Sequence, residues 1–138
     1  MANGHLISIV DDDASMRDAL VGLVRALGYD VRAFGSAEEF LASRELKQFT
    51  CAITDIQMPG MSGFELKEQL GRCASQVPVI MITARTEPGL EEQAISSGAV
   101  CFLRKPFEAE TFVNCLEKVL GGFGPAREWR FEHRDLQP

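Results

Sequence analysis

Leu6-Ile7-Ser8-Ile9-Val10-Asp11-Asp12-Asp13 sets a short aliphatic run directly against three consecutive carboxylates. The run is almost continuously apolar, as in a strand covered on both faces of a parallel sheet. A parallel strand needs a crossover connection, and the next residues supply one. Met16, Leu20, Leu23, Val24 and Leu27 share one helical stripe, and Gly28 follows as a residue able to take positive φ at a helix end. Ser15 with Asp18 is expected to open this helix as a capping box.

The same unit recurs along the chain. Val31-Arg32-Ala33-Phe34, Cys51-Ala52-Ile53-Thr54, Val79-Ile80-Met81-Ile82 and Val100-Cys101-Phe102-Leu103 read as further strands, with Val31–Phe34, the most polar, at an edge. Ser36 with Glu39 and Ser62 with Glu65 repeat the capping signature, and Pro88 is expected in the first turn of a fourth helix that carries Leu90, Ala94 and Ile95 and stops near Gly98. Phe112, Leu116, Val119 and Leu120 mark a fifth, closed by Gly121-Gly122. With right-handed crossovers, this alternation predicts an α/β fold: a doubly wound five-stranded parallel sheet with five helices on two faces.

Composition narrows the function. The chain has 138 residues, enough for one domain, and 14 basic residues against 20 acidic give a net charge of −6, which argues against binding nucleic acid. No apolar run approaches a membrane span, and Met1-Ala2-Asn3-Gly4-His5 lacks the basic start of a signal peptide, so the expected location is cytoplasmic. Cys51, Cys73, Cys101 and Cys115 form no C-x-x-C pair, and only His5 and His133 could join them, so a zinc site is not expected. Cys51 and Cys101 lie in apolar runs and read as small buried hydrophobes. Residues 1–120 form the expected domain; residues 121–138 read as a short tail or the start of a truncated linker. In that tail three arginines balance three acids, and Trp129 and Phe131 stand among them.

In an open parallel sheet the reactive loops lie beyond the carboxyl ends of the strands. The first strand delivers Asp11, Asp12 and Asp13 there, the third Asp55, the fourth Thr83 and the small Ala84, and the fifth Lys105. Clustered carboxylates in an open loop recruit a hard cation, and oxygen-only ligands suit Mg²⁺ or Mn²⁺. A cation beside a carboxylate and a lysine suits phosphoryl transfer. Asp55 can attack phosphorus to give an aspartyl phosphate, Lys105 can pair with a phosphoryl oxygen, Thr83 can donate to another, and Ala84 leaves room for the incoming group.

These residues lie in segments that resemble the receiver domain of two-component response regulators. The matching stretches are Ile9-Val10-Asp11-Asp12-Asp13, Thr54-Asp55-Ile56-Gln57-Met58-Pro59-Gly60-Met61-Ser62-Gly63, Ile80-Met81-Ile82-Thr83-Ala84, and Gly98-Ala99-Val100-Cys101-Phe102-Leu103-Arg104-Lys105-Pro106-Phe107. The resemblance implies a flavodoxin-like strand order of 2-1-3-4-5, with Asp55 as phosphoacceptor. It implies Mg²⁺ (or Mn²⁺) held by Asp12, Asp55 and the Gln57 carbonyl, with Asp11 acting through water, and a cis peptide between Lys105 and Pro106. Thr83 and Phe102 match the switch pair, and Gln57 and Arg85 match the positions that tune phosphate lifetime. The implied partners are a histidine kinase or phosphotransfer protein and a downstream output protein or missing output domain. The implied contact surface is the fourth helix, fifth strand and fifth helix, which also offers a homodimer face. Phe34-Gly35-Ser36-Ala37-Glu38-Glu39-Phe40-Leu41 is similar to receivers of the nitrogen-fixation regulator group. No turnover of a freestanding substrate is expected.

Two other readings meet the same residues. Asp11-x-Asp13-x-Ser15 loosely resembles the nucleophile motif of haloacid-dehalogenase phosphatases, with Asp11 as acceptor, but leaves Met58-Pro59-Gly60 without a role. A flavodoxin-like FMN binder would set three aspartates against the flavin phosphate.

Overall fold

The computed structural model describes residues 4–73 and 77–121. Each apolar run becomes a strand: β1 (Leu6–Val10), β2 (Asp30–Phe34), β3 (Cys51–Asp55), β4 (Val79–Thr83) and β5 (Cys101–Arg104). The helices between and after them are α1 (Ala14–Ala26), α2 (Ala37–Leu41), α3 (Gly63–Cys73), α4 (Leu90–Ser96) and α5 (Ala109–Gly121), with a 3₁₀ turn at Leu46–Gln48. All pairings are parallel, and the order is β2-β1-β3-β4-β5. This is the expected flavodoxin-like α/β fold, with β2 at one edge.

Continuous apolar character in the strands has its reason in two cores, one on each face. Ile7, Ile9, Ile53, Ile80, Ile82 and Leu103 point to the face covered by Leu20 and Val24 of α1 and by Phe112 and Leu116 of α5. Val10, Ala52, Val79, Met81 and Phe102 point to the other, against Phe40 of α2, Leu66 and Leu70 of α3, and Leu90 and Ala94 of α4. Alternate residues of a strand face opposite sides, so both sets must be apolar.

Helix ends agree with the sequence in part. Gly28, at φ 93°, follows α1 as expected, and Ser62 and Glu65 close a reciprocal capping box (2.9 and 3.2 Å). Ser36 caps α2 through the Glu39 N–H at 3.1 Å, but the Glu39 carboxylate reaches one residue further back, to the Gly35 N–H. Two expectations are corrected. α1 is capped by Asp13, whose carboxylate accepts from the N–H groups of Ser15 and Met16, so Ser15 lies inside the helix. α4 starts at Leu90 behind Gly89, which takes φ 89°, so Pro88 belongs to the preceding turn. Gly122, Trp129 and Phe131 lie outside the described residues.

The cysteines need a further correction. Cys51 is the buried hydrophobe expected, and burial pushes its thiol pKa up to about 12. Cys101 is buried too, but it is joined to Cys115 by a disulfide between β5 and α5. Both side chains project into the same core, a tertiary proximity that a spacing of 14 residues does not announce.

Phe40 anchors the second core. It is fully buried, with the rings of Phe34 and Phe49 at 5.3 and 5.2 Å between centroids. Phe40→Ala removes a buried ring that neighbouring strands cannot collapse to replace, and is expected to cost about 3–5 kcal/mol in urea unfolding. A loss below about 1 kcal/mol would contradict this packing.

Candidate functional site

Strand register places the site. Val10 pairs with Thr54, so Asp11 and Asp55 emerge side by side, each at a strand end. Asp55 pairs with Ile82, which brings Thr83 one step beyond it, and Thr83 pairs with Arg104, which brings Lys105 one step beyond that. Four side chains from four strand ends thereby reach one rim.

At the rim, Asp11 and Asp55 are held alike. One oxygen of each accepts from the backbone N–H two residues onward: Asp11 Oδ1 from Asp13 at 2.9 Å, and Asp55 Oδ1 from Gln57 at 3.1 Å. The other oxygen of each accepts from Lys105 Nζ, at 3.1 Å in both cases. Lys105 therefore bridges two carboxylates that are 1% and 7% exposed. Asp12 is exposed, yet one carboxylate oxygen from each of Asp11, Asp12 and Asp55 can be chosen so that all three lie within 4.8 Å of one another. Three carboxylates so placed face one ammonium. That excess of negative charge, and a donor set made only of oxygens, is consistent with a divalent-cation site of the Mg²⁺ or Mn²⁺ kind.

Electrostatics leave Asp55 poised. Burial raises its pKa above the ordinary carboxylate value and Asp11 adds to the rise, against the Gln57 N–H and the Lys105 charge, which favour the ionised form. Burial alone would lower Lys105, but its hydrogen bond to Asp11 and the charges of both aspartates outweigh it and raise the pKa, so the ammonium persists.

The remaining residues fall around this centre. Thr83 is fully buried, and its Oγ1 accepts from the Arg85 N–H at 3.0 Å. Ala84 is exposed at the rim, and Gln57 is exposed beside Asp55. Arg85 turns its side chain to Glu87 at 2.7 Å, on the surface. Phe102 is 4% exposed in the second core. The Lys105–Pro106 peptide is cis. Asp13, as the α1 cap, stands apart from the carboxylate cluster.

Two supports escaped sequence reasoning. Arg17, one turn into α1, donates from Nη1 to the Asp11 carbonyl at 2.8 Å and fixes the β1 exit. Gly63 packs on the backbone beneath Asp55: a Cβ there would lie 2.6 Å from the Asp55 carbonyl oxygen and 2.9 Å from the Ile56 Cα. A glycine is therefore required by close approach. The only advance signal for Arg17 was its position six residues past Asp11, whereas Gly63 closes the matched stretch that begins at Thr54.

The family described as "Response regulator receiver domain" matches residues 7–117. The chain belongs to the response-regulator receiver family. Receiver domains are signalling switches of two-component systems and do not turn over a freestanding substrate. The chain is 36% identical over 133 residues to the transcriptional regulatory protein FixJ of Bradyrhizobium diazoefficiens, covering 96% of this chain and 64% of that one. It is 36% identical over 111 residues to nodulation protein W of the same species, covering 80% of this chain and 49% of that one. The chain thus spans roughly half to two-thirds of these relatives' lengths. Among solved structures, the Vibrio cholerae chemotaxis protein CheY4 superposes with a TM-score of 0.76 at 30% identity, covering 83% of this chain and 98% of that one. The FixJ-N crystal structure gives 0.76 at 32% identity, covering 88% and 97%. In the receiver family the phosphatase and flavin readings lose their ground.

The raised Asp55 pKa has a consequence for stability. The folded state holds the Asp55 proton more tightly than the unfolded chain, so Asp55 withdraws stability as pH rises from the ordinary carboxylate value through the raised one. In cation-free buffer Asp55→Asn should therefore melt above the wild type at pH 7, with the gain shrinking as pH falls through the raised value towards the ordinary carboxylate value and gone below it. A variant that melts lower at neutral pH would contradict the assigned sign.

Proposed function

We propose that the chain is the phosphoacceptor module of a phosphorelay, in which a histidine kinase or phosphotransfer protein gives a phosphoryl group to Asp55. The observation that carries this reading is the Lys105 ammonium hydrogen-bonded to both Asp55 and Asp11 beside a third carboxylate. In the transfer, a carboxylate oxygen of Asp55 forms an O–P bond as the donor's P–N bond breaks, and the released imidazole nitrogen takes its proton from solvent. Asp12, Asp55 and the Gln57 carbonyl would hold Mg²⁺ (or Mn²⁺), with Asp11 acting through water. When bound, the cation supplies positive charge against the phosphoryl oxygens. Lys105 then moves its hydrogen bond from Asp55 to a phosphoryl oxygen while retaining Asp11, Thr83 donates its hydroxyl to another, and Ala84 leaves the approach open.

Gln57 and Arg85 flank the opening and are assigned to the control of phosphate lifetime. Thr83 and Phe102 form the switch, read by partners on the face of α4, β5 and α5, which also offers a homodimer face. Residues 1–120 constitute the receiver. The match covers only 64% of FixJ and 49% of nodulation protein W, which supports the reading of residues 121–138 as the start of a linker over that of a short tail.

Acetyl phosphate with Mg²⁺, offered to wild type, Asp55→Asn and Asp11→Asn, tests the acceptor by peptide mass mapping. One phosphoryl group on Asp55 in the wild type, absent in Asp55→Asn and reduced at least tenfold in rate in Asp11→Asn, is the expected result. Modification of Asp11 instead would overturn the assignment.

A further inference from the structure

Phe102 and Arg104 are two residues apart on β5 and so project from the same sheet face, the one to which Val79 and Met81 of β4 also point. Phe102 is almost wholly buried, whereas Arg104 is exposed. The Arg104 guanidinium lies over the Phe102 ring, 5.2 Å from its centroid. Its Nε also donates to the Arg85 carbonyl at 3.1 Å. Arg85 in turn donates its own N–H to Thr83 Oγ1 at 3.0 Å, while its side chain is occupied by Glu87. An unbroken line of contacts therefore runs from the Thr83 hydroxyl, through one peptide-linked residue, to the guanidinium over the Phe102 ring.

We propose that Arg104 is the positioning residue that couples Thr83 to Phe102, a role that rests on the phosphoacceptor reading of Asp55. A hydroxyl cannot stay fixed on the Arg85 N–H while it moves to a phosphoryl oxygen on the neighbouring strand end. Displacing Thr83 Oγ1 therefore releases residue 85, and with it the carbonyl that orients Arg104. The guanidinium then loses its place over the ring, and Phe102 changes its packing. Arginine suits the task because its planar group can lie against an aromatic face while one of its N–H donors bonds elsewhere. A lysine ammonium can replace the attraction to the ring but not that divided geometry. The outer end of this device, Arg104, also lines a cleft of about 620 Å³ with Glu87, Glu91 and Glu92, so its release alters the charge presented by the β4–α4 side of the protein.

The test is NMR of ¹³C-labelled phenylalanine rings, with Phe102 assigned by Phe102→Leu, in the wild type, Arg104→Ala and Arg104→Lys. Each is measured with Mg²⁺ alone and after adding beryllium trifluoride, a carboxylate-bound phosphoryl mimic; acetyl phosphate labelling of Asp55 is measured in parallel. In the wild type the Phe102 signal is expected to move on loading. In Arg104→Ala, Asp55 loads to the same stoichiometry, but the Phe102 signal begins near its loaded position and moves by less than half the wild-type change. Arg104→Lys falls between the two. Normal loading of Asp55 with an undiminished Phe102 response in Arg104→Ala overturns the coupling and leaves the acceptor reading intact. Failure of the wild type to load at Asp55 overturns both.

Discussion

Everything distinctive about this protein depends on one ammonium placed between two buried carboxylates. Two unit charges about 4 Å apart repel by roughly 4 kcal/mol at an effective dielectric near 20. Strand register sets Asp11 and Asp55 side by side, and their repulsion is offset by Lys105, which donates to both, while a backbone N–H steadies each. The arrangement remains short of positive charge once Asp12 is included. A site of this kind favours ligands that bring cations, and then anions whose charge those cations tolerate. Stability is given up at the rim for that selectivity, and the two apolar cores beneath it supply the compensation.

The sheet makes this arrangement possible because its register advances by one residue from β3 to β4 to β5. Asp55, Thr83 and Lys105 are each the first residue past a paired position on the preceding strand, so no long loop is needed to gather them. Gly63 pins the Asp55 backbone from below, and Arg17 pins the Asp11 carbonyl from the side. The chemistry therefore stands on strand ends and helix starts, which hold geometry better than a loop does. The coupling proposed for Arg104 relies on the same rigidity, because the groups from Thr83 to the β5 side chains are already in contact.

The strand sequence carried most of the architecture. Aliphatic runs of four or five residues bounded by polar ones have few other homes in a chain of this composition, and Asp11, Asp55, Thr83 and Lys105 could be assigned to one rim from strand ends alone. Detail was lost where two acceptable local solutions competed. Ser15 and Asp13 are both good cap residues, and the junction with β1 selected Asp13. Pro88 and Gly89 both precede Leu90, and the positive φ at Gly89 selected the later start. The Cys101–Cys115 contact and the Arg104–Arg85 hydrogen bond were illegible for another reason: each joins residues through the fold, and nothing in their spacing marks the pairing.

The convergence of carboxylates at this rim can be measured without any phosphodonor. Titration of Mn²⁺ into ¹⁵N-labelled protein should broaden the amide signals of residues 11–13, 55–57, 83–85 and 104–105 first and together, and excess Mg²⁺ should restore them. Broadening that begins elsewhere, or that spares residues 55–57 while affecting 11–13, would contradict the account.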